Sequence, residues 1–315
     1  MRVTAIAGGT GAVKLLRGLA ACLPSRDLTV IVNTGDDAEV WGLHVSPDLD
    51  TVTYGLAGRL DPGRGWGLSA ETFRCLGAMA ELGAETWLNL GDRDLATHLH
   101  RTEALRRGTT LSAVTAQIAR RFGVEVDVLP MSDDPVRTRI RTPSPTEAGE
   151  GWLSFQEYFV REKAQVEVLE VAYAGAERAR PAPGVTEALA AADLIVVCPS
   201  NPVTSIGPML AVPGMVAALQ AARAPVVGVS PIIGGAAVSG PAGVLMRAQG
   251  LPVSPEGVAR AYAPWLRVLL LDPDDQACVP ALLAQGVAPV LADIVMRDRA
   301  GEAALARRVL EAAGA

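Results

Sequence analysis

Short apolar runs alternate with helical patterns along much of the chain, and this alternation predicts an α/β fold. Residues 3–7 form an apolar run that ends at Gly8, and residues 12–22 follow it with apolar side chains at helical spacing. A second buried strand is predicted over residues 28–32, a few residues after that helix. A strand, a glycine turn, a helix and a second strand form a β-α-β unit, in which the strands are parallel and the crossover is right-handed.

The same alternation continues in the second half of the chain. Strands are predicted over residues 194–197, 226–229 and 268–271, and helices over residues 185–192, 215–222 and 256–263. Because consecutive strands joined by helices pair in parallel, helices cover both faces of the sheet. The pattern therefore predicts a three-layer, Rossmann-like and mostly parallel sheet.

The alternation of strands and helices is interrupted in the middle of the chain. Polar, arginine-rich helical patterns over residues 96–107 and 111–122 precede short strand-like pieces and a polar Pro/Gly loop over residues 143–151. We therefore predict a smaller inserted α/β subdomain over residues 91–175. The Rossmann-like core would then comprise residues 1–90 and 176–315.

Composition narrows the class of protein. The chain has 315 residues, 50% hydrophobic residues and a net charge of −6, which argues against a nucleic-acid partner because such binding needs a basic face. The four cysteines form no C-x-x-C pair, so we expect small buried apolar side chains: Cys22, Cys75, Cys198 and Cys278. No signal pattern begins the chain and no apolar run reaches the ~18 residues of a membrane span. We expect a cytoplasmic protein without a membrane partner.

The first candidate site is the glycine turn after the first strand, formed by Gly8, Gly9, Thr10 and Gly11. Glycine lets the backbone approach a phosphate closely, and the following helix offers free N–H groups at its positive end. A tight turn without a ligand is the alternative, since the third small residue of a dinucleotide fingerprint is missing. Lys14 either reaches a phosphate or lies in solvent.

Four carboxylates follow within fifteen residues: Asp36, Asp37, Asp48 and Asp50. Carboxylate oxygens suit Mg²⁺, which commonly takes one or two of them and leaves other positions for water and phosphate. Ser46-Pro47 offers an alternative, because serine as N-cap, proline at the first helical position and acids in the first turn are typical of a helix start. Capping explains Asp48 more readily than Asp50.

Two further clusters are ambiguous. His98 and His100 are two residues apart and point to opposite sides of a helix, so they cannot chelate one metal there. Arg137, Arg139 and Arg141 alternate along a predicted strand, where they form either a solvent edge or an anion-binding face.

Three loops rich in glycine and hydroxyl residues follow the later strands. They begin at Pro199, Ser230 and Ser239, and they leave the same carboxyl edge of the predicted sheet. Loops at that edge are where such folds bind ligands. No G-x-S-x-G elbow occurs, so a serine hydrolase has little support.

Together these motifs resemble the 2-phospho-L-lactate transferase family. The strings that carry the resemblance are GGTG at 8–11 with Lys14, SPDLDT at 46–51, GDRD at 91–94, LPMSDDP at 129–135 and SNPVTSIGP at 200–208. They run in order over essentially the whole chain.

The resemblance implies a step in the biosynthesis of the deazaflavin coenzyme F420. Members move a phosphorylated three-carbon acid from a guanosine-diphosphate-linked donor to the deazaflavin Fo, release GMP and need Mg²⁺. This is a transferase for substituted phosphate groups. The acid would be phospholactate, phosphoenolpyruvate or phosphoglycerate. Sugar-nucleotide-binding regulators of the same superfamily are the main alternative. A nicotinamide-dependent oxidoreductase ranks lower, because the second predicted strand ends in Asn33 rather than an acid.

The resemblance also implies roles for individual residues. Fo would contact Asp50 and Asn89, where the family pattern has lysine at the second position. Asp37 and Asp50 would hold Mg²⁺ and act in catalysis. Either Asp50 or a metal-bound hydroxide would take the acceptor's proton, and Arg137 or Arg139 would steady the donor's carboxylate. The guanosine nucleotide would lie on the following residues: Gly8, Gly9, Thr10, Gly11, Lys14, Ser200, Asn201, Thr204, Ser230 and Gly234. A homodimer is expected from the frequency of such assemblies.

Overall fold

The computed structural model describes residues 1–143 and 151–314. The strands are β1 (Val3–Ala7), β2 (Leu28–Val32), β3 (Ala38–Val40), β4 (Leu43–Val45), β5 (Asp127–Pro130), β6 (Arg137–Thr142), β7 (Gly151–Ser154), β8 (Glu170–Ala174), β9 (Leu194–Val197), β10 (Val226–Val229), β11 (Ile232–Ile233), β12 (Ala236–Ala237), β13 (Val268–Leu271) and β14 (Ala288–Leu291). Most of the predicted loop over residues 143–151 lies outside the described residues.

The α-helices alternate with the strands of the main sheet. They are α1 (Gly9–Cys22), α2 (Pro47–Leu56), α3 (Arg74–Glu81), α4 (Asp92–Arg106), α5 (Leu111–Arg121), α6 (Val185–Ala191), α7 (Gly207–Ala211), α8 (Met215–Ala221), α9 (Ala242–Ala248), α10 (Pro255–Ala261), α11 (Val279–Ala284) and α12 (Arg299–Ala312). Short 3-10 turns span Ser25–Asp27, Ala176–Arg178 and Pro273–Cys278, and π-helical turns span Glu157–Arg161 and Pro202–Ile206.

The centre of the molecule is a parallel sheet in the order β14-β13-β10-β9-β1-β2-β5. Every neighbouring pair in it is parallel. Strand β1 lies between β2 and β9, with Val3 opposite both Leu28 and Leu194. This confirms the predicted Rossmann-like α/β fold.

Side chains alternate between the two faces of each strand, and both faces of the sheet are buried. Ile6 of β1 packs into one apolar core, whereas Ala5 and Ala7 pack into the core on the opposite face. Two apolar cores on one sheet require two covering layers, and the helices supply them. The strands therefore appear in the sequence as continuous apolar runs.

The middle of the chain is divided between two sheets. Strand β5 is an edge strand of the main sheet, with Val128 opposite Val30 of β2, although it lies within the predicted insert. Strands β7, β6 and β8 form a separate antiparallel sheet. The division into a core and an insert at residues 91–175 stays a prediction, but β5 belongs with the main sheet.

Two sequence-based expectations concern the cysteines and membrane spans. All four cysteines are free, but only Cys198 is buried as expected: Cys22 and Cys278 are partly buried, and Cys75 is exposed. Within residues 1–143 and 151–314, no single helix is long and apolar enough to cross a membrane. A pair bent by 88°, Pro202–Ala211 with Met215–Ala221, meets those criteria by length and composition only.

Candidate functional site

A cavity of about 730 Å³ opens at the carboxyl edge of the main sheet. Its walls come from the loops that follow β1, β9 and β10, as expected where parallel strands end together. Its volume is in the range of small-molecule and cofactor sites. Of the predicted nucleotide-binding residues, those that line it are Gly8, Gly9, Thr10, Gly11, Lys14, Ser200, Asn201, Thr204 and Ser230.

The glycine turn presents an open helix end to the cavity. Gly8 is the N-cap of α1 with no side-chain cap, and the first turn contains no acidic residue. Gly9 has a φ of +72°, and a Cβ on Gly8 would lie 2.7 Å from both Asp48 Oδ2 and Ser205 Cβ. The free N–H groups and the helix dipole make this turn suited to an anion.

Two neighbouring loops hold the glycine turn in place. Ser200 Oγ donates to the Gly8 carbonyl oxygen at 2.8 Å and accepts from the Gly8 N–H at 3.1 Å. Asn201 Oδ1 caps the π-helical turn by accepting from the N–H of Val203 at 2.9 Å. Lys14 Nζ donates to the Met296 carbonyl oxygen at 3.1 Å, which ties the first helix to the opposite wall.

Gly234 does not line the cavity. It lies between β11 and β12, and its N–H donates to Asp275 Oδ1 at 3.0 Å. Ser230, which precedes this hairpin, lines the cavity, and its hydroxyl is engaged with the backbone of Ile232. The structure thus brings together every predicted nucleotide-binding residue except Gly234.

Asp36 and Asp48 lie on the cavity wall beside the glycine turn. Asn33 Nδ2 donates to Asp48 Oδ2 at 3.0 Å and to the Thr204 carbonyl oxygen at 3.1 Å. Burial raises the pKa of Asp48 to about 6, although the hydrogen bond from Asn33 opposes this change. Burial, together with the neighbouring Asp48 carboxylate, raises the pKa of Asp36 well above its usual range. A bound cation or a proton would reduce the repulsion between these two carboxylates.

Asp37 is buried next to the cavity but does not line it. Its Oδ2 accepts from the Ser46 hydroxyl at 2.9 Å and lies 2.9 Å from His44 Nε2. Ser46 is the residue before α2, as predicted, but the idea that its hydroxyl caps the helix is wrong, because that hydroxyl is directed to Asp37.

Asp50 lines the cavity and is paired with an arginine from α4. Arg101 Nη1 donates to Asp50 Oδ2 at 3.0 Å, and Arg101 Nη2 donates to Asp50 Oδ1. Burial lowers the pKa of Arg101, but the contact with Asp50 outweighs it and raises the pKa of Arg101 above its usual range. Arg101 therefore stays ionised although it is buried.

A chain of polar side chains extends behind this pair. Arg101 Nη1 lies 3.4 Å from His98 Nδ1, and His98 Nε2 lies 3.4 Å from Asp94 Oδ2. The Tyr54 hydroxyl donates to Asp94 Oδ1 at 2.7 Å. Burial opposes ionisation of Asp94, but His98 and Tyr54 outweigh it and hold the pKa of Asp94 below its usual range.

Part of the cavity wall is aromatic. Trp66, Phe155 and Phe159 line it, and the two phenylalanine rings stack with their centroids 5.5 Å apart. The guanidinium of Arg64, also in the wall, lies 5.2 Å from the Trp66 ring centroid. Asn89 lies in the same cavity. A flat ring would find stacking partners here.

The residues predicted to hold Mg²⁺ can be tested against this geometry. Asp36 Oδ1 and Asp37 Oδ1 are buried oxygens with no hydrogen-bond partner among the described residues. Asp50 gives one lone pair of each oxygen to Arg101, and a carboxylate has further lone pairs for a second partner. Asp36 and Asp37 thus offer unpartnered oxygens of the kind that a hard cation takes, with Asp36 on the cavity wall and Asp37 behind it.

Some functional candidates are elsewhere, and others were missed. Arg137 donates to the Val136 carbonyl oxygen and Arg139 to that of Trp152, and neither lines the cavity. Arg101 and Tyr54 were missed, because their contacts with Asp50 and Asp94 join positions 40 or more residues apart. The arginine within an otherwise polar helix gave no local signal of pairing.

The fold and the cavity define a Rossmann-like protein with a ligand site at the carboxyl edge of its sheet. The model of the family described as 2-phospho-L-lactate transferase CofD matches residues 3–310. A phosphoenolpyruvate transferase of Kitasatospora aureofaciens is 47% identical over 313 residues, which is 98% of this chain and 97% of that protein. A 2-phospho-L-lactate transferase of Methanosarcina acetivorans is 44% identical over 291 residues, which is 92% of each chain.

The likeness to solved structures concerns the fold alone. Two crystal structures of a Bacillus halodurans protein, BH3568, align with 98% of this chain and with 99% and 98% of theirs. Their TM-scores are 0.65 and 0.62, and each is 18% identical.

The chain belongs to the 2-phospho-L-lactate transferase CofD family. The resemblance seen in the sequence is thereby confirmed. The chain is therefore a transferase, and its family acts in coenzyme F420 biosynthesis.

Proposed function

We propose that this protein transfers a phosphorylated three-carbon acid from its guanosine-diphosphate-linked donor to the deazaflavin Fo and releases GMP. One observation carries the proposal: the open end of α1 at the glycine turn lines the same cavity as Asp50, Asn89 and the aromatic side chains. The diphosphate of a donor at the glycine turn and the hydroxyl of a flat acceptor at Asp50 can therefore meet inside one site.

The donor would lie on the side of the glycine turn. The free N–H groups of α1 offer hydrogen bonds to its phosphates, and the loops at Ser200 and Ser230 border the same region. Lys14 lines this part of the cavity and supplies a positive charge. The acceptor ring would lie against Trp66 and the two stacked phenylalanines, with Asn89 as a hydrogen-bonding neighbour.

The reaction exchanges one phosphorus–oxygen bond for another. The terminal hydroxyl oxygen of the acceptor attacks the phosphorus that carries the three-carbon acid and forms a new P–O bond. The bond from that phosphorus to the bridging oxygen breaks, and GMP leaves with that oxygen and the electron pair. Asp50, on the cavity wall, takes the hydroxyl proton, a role that contributes ~10²–10⁴-fold in such sites.

Mg²⁺ would be held by the acidic group, with Asp37 and Asp50 as the proposed ligands. When bound, the cation would neutralise charge on the diphosphate oxygens. The unpartnered Asp37 Oδ1 supports this placement, and so does the unpartnered oxygen of Asp36 on the adjoining wall. Calorimetric titration of Mg²⁺ tests it: Asp37→Asn weakens binding if Asp37 is a ligand, and an affinity equal to that of the wild type excludes Asp37.

The reaction is tested with purified protein, Fo, Mg²⁺ and a guanylylated donor, and GMP release is followed by chromatography. We expect Asp50→Asn to lower turnover at least ~100-fold. The exposed Asp193→Asn serves as the control and keeps the wild-type rate. Binding of a nucleotide without turnover would instead favour the regulatory alternative. Competition among the three donors identifies the native acid, and a homodimer stays a prediction.

A further inference from the structure

We propose that Arg101 is a positioning residue of this transferase, which fixes the Asp50 carboxylate from behind the cavity wall. The proposal rests on the proposed function, since that function gives Asp50 its role at the acceptor hydroxyl. Four observations carry it: the burial of Arg101, its two-pronged contact with Asp50, its absence from the cavity lining and the polar chain that supports it.

Arg101 is 1% exposed and is among the largest fully buried side chains of the described residues. Its fork donates to both oxygens of Asp50, one of them at 3.0 Å. An arginine fork that holds both oxygens fixes the plane of a carboxylate, whereas a single hydrogen bond leaves it free to rotate. The orientation of Asp50 is therefore set by α4.

Arg101 does not line the cavity, whereas Asp50 does. The guanidinium therefore contacts no ligand held there and acts only through Asp50. Each Asp50 oxygen retains a lone pair that is not used by Arg101. The carboxylate is thus held from one side and is available to the acceptor from the other.

The guanidinium is itself held in place. Arginine only donates, so His98 Nδ1 is the acceptor in its 3.4 Å contact with Arg101 Nη1, and His98 Nε2 lies 3.4 Å from Asp94 Oδ2. Tyr54 donates to Asp94 at 2.7 Å and fixes that carboxylate in turn. Arg101 also approaches the His44 carbonyl oxygen, at 3.5 Å.

The same cluster has the composition of a metal site, but the arginine occupies it. Donor atoms of Asp50, Asp94 and His98 all lie within 4.8 Å of one another. The Nη1 nitrogen of Arg101 already lies 3.0 Å from Asp50 Oδ2 and 3.4 Å from His98 Nδ1. The guanidinium thus supplies the positive charge that this cluster needs, and a metal would have to displace it.

A matched control is present between α1 and α12. Arg17 of α1 donates to both carboxylate oxygens of Glu302 of α12, one of them at 2.9 Å. Neither residue lines the cavity. Arg17→Met therefore breaks a similar arginine fork without touching the site, although Glu302 also accepts from Arg299 at 3.2 Å, and it reports what the loss of the fork does to folding alone.

The experiment compares Arg101→Met, Arg101→Lys, Asp50→Asn, the double variant Asp50→Asn/Arg101→Met and Arg17→Met. For each we measure the melting temperature, Fo affinity by equilibrium dialysis, and kcat and KM for GMP release. We expect Arg101→Met to lower kcat/KM by at least ~100-fold and Arg101→Lys to recover part of it. Arg17→Met lowers the melting temperature but keeps kcat and KM within ~3-fold.

The double variant separates positioning from stability. If Arg101 acts through Asp50, the double variant is no slower than Asp50→Asn, because residues that act as a unit are not additive. Losses that multiply would overturn the proposal. Wild-type kcat and KM in Arg101→Lys would also overturn the proposal. If Arg101→Met does not fold, the Arg101→Lys variant alone decides the question. Failure of the wild type to release GMP contradicts the proposed function itself, whereas normal turnover in both Arg101 variants contradicts the positioning role alone.

Discussion

The charge on Asp48 destabilises the folded protein at neutral pH, and replacing Asp48 by asparagine tests this. Burial raises the pKa of Asp48 from 3.8 to about 6, so the folded form holds the proton more tightly than the unfolded form. The stabilisation from this group is fully present below about pH 4 and is lost as the pH rises through 6. Asp36 shifts in the same direction, because of burial and its proximity to Asp48.

The size of the effect follows from the two pKa values. The difference between 3.8 and about 6 corresponds to about 3 kcal/mol of unfolding free energy. In Asp48→Asn the side chain stays neutral, and its amide oxygen still accepts from Asn33, which donates to Asp48 Oδ2 at 3.0 Å. We therefore expect the free energy of unfolding of Asp48→Asn to exceed that of the wild type by up to about 3 kcal/mol at pH 8 and to equal it at pH 4.

The assay is urea unfolding of both proteins from pH 4 to pH 8 in EDTA, so that no divalent cation alters the proton equilibrium. Exposed Asp293 is the control, because the N–H of Val295 lowers the pKa of its carboxyl, and its contribution is lost as the pH falls. Asp293→Asn therefore changes the plot of unfolding free energy against pH only at the acid end. Parallel plots for the wild type and Asp48→Asn would refute the reasoning.

Three further substitutions test the described contacts. Asn33→Ala removes the buried amide that donates to Asp48 and to the Thr204 carbonyl oxygen, and we expect it to lower the free energy of unfolding by about 2–4 kcal/mol in urea. A loss below about 1 kcal/mol would show that water replaces the amide. Tyr54→Phe removes a buried hydrogen bond to a carboxylate and costs about 1–3 kcal/mol by the same measure. Gly8→Ala places a Cβ 2.7 Å from Asp48 Oδ2 and weakens GDP binding in calorimetry at least ~10-fold; unchanged affinity would separate the glycine turn from the nucleotide.

The main sheet could be predicted because its strands are buried on both faces. Strands β1, β2, β9, β10 and β13 lie where their apolar runs indicate. Strand β14 was not predicted, because Pro289 interrupts its apolar run and proline occurs within a sheet mainly on edge strands such as this one. The place of β5 beside β2 was not found either, since pairing between distant strands leaves no local pattern.

The candidate site was predictable wherever backbone geometry creates it. The glycine turn and the loop at Ser200 can be read from glycine, proline and hydroxyl residues directly after a strand. Side-chain pairing was not predictable, because Arg101 and Asp50 are 51 positions apart. Ser46 shows the same limit: its sequence context is that of a helix cap, yet its hydroxyl binds a carboxylate from the preceding loop.

The contact between Lys14 and the Met296 carbonyl joins residues 282 positions apart. At ~5–20 residues per second, a ribosome needs about 15 to 60 seconds to make the chain between them. Throughout that time the glycine turn lacks its opposite wall, and until β9 emerges one edge of the apolar strand β1 has no neighbour. Unpaired apolar edges pair readily with other chains. We therefore expect the nascent protein to depend on chaperones more than its stable parallel sheet suggests.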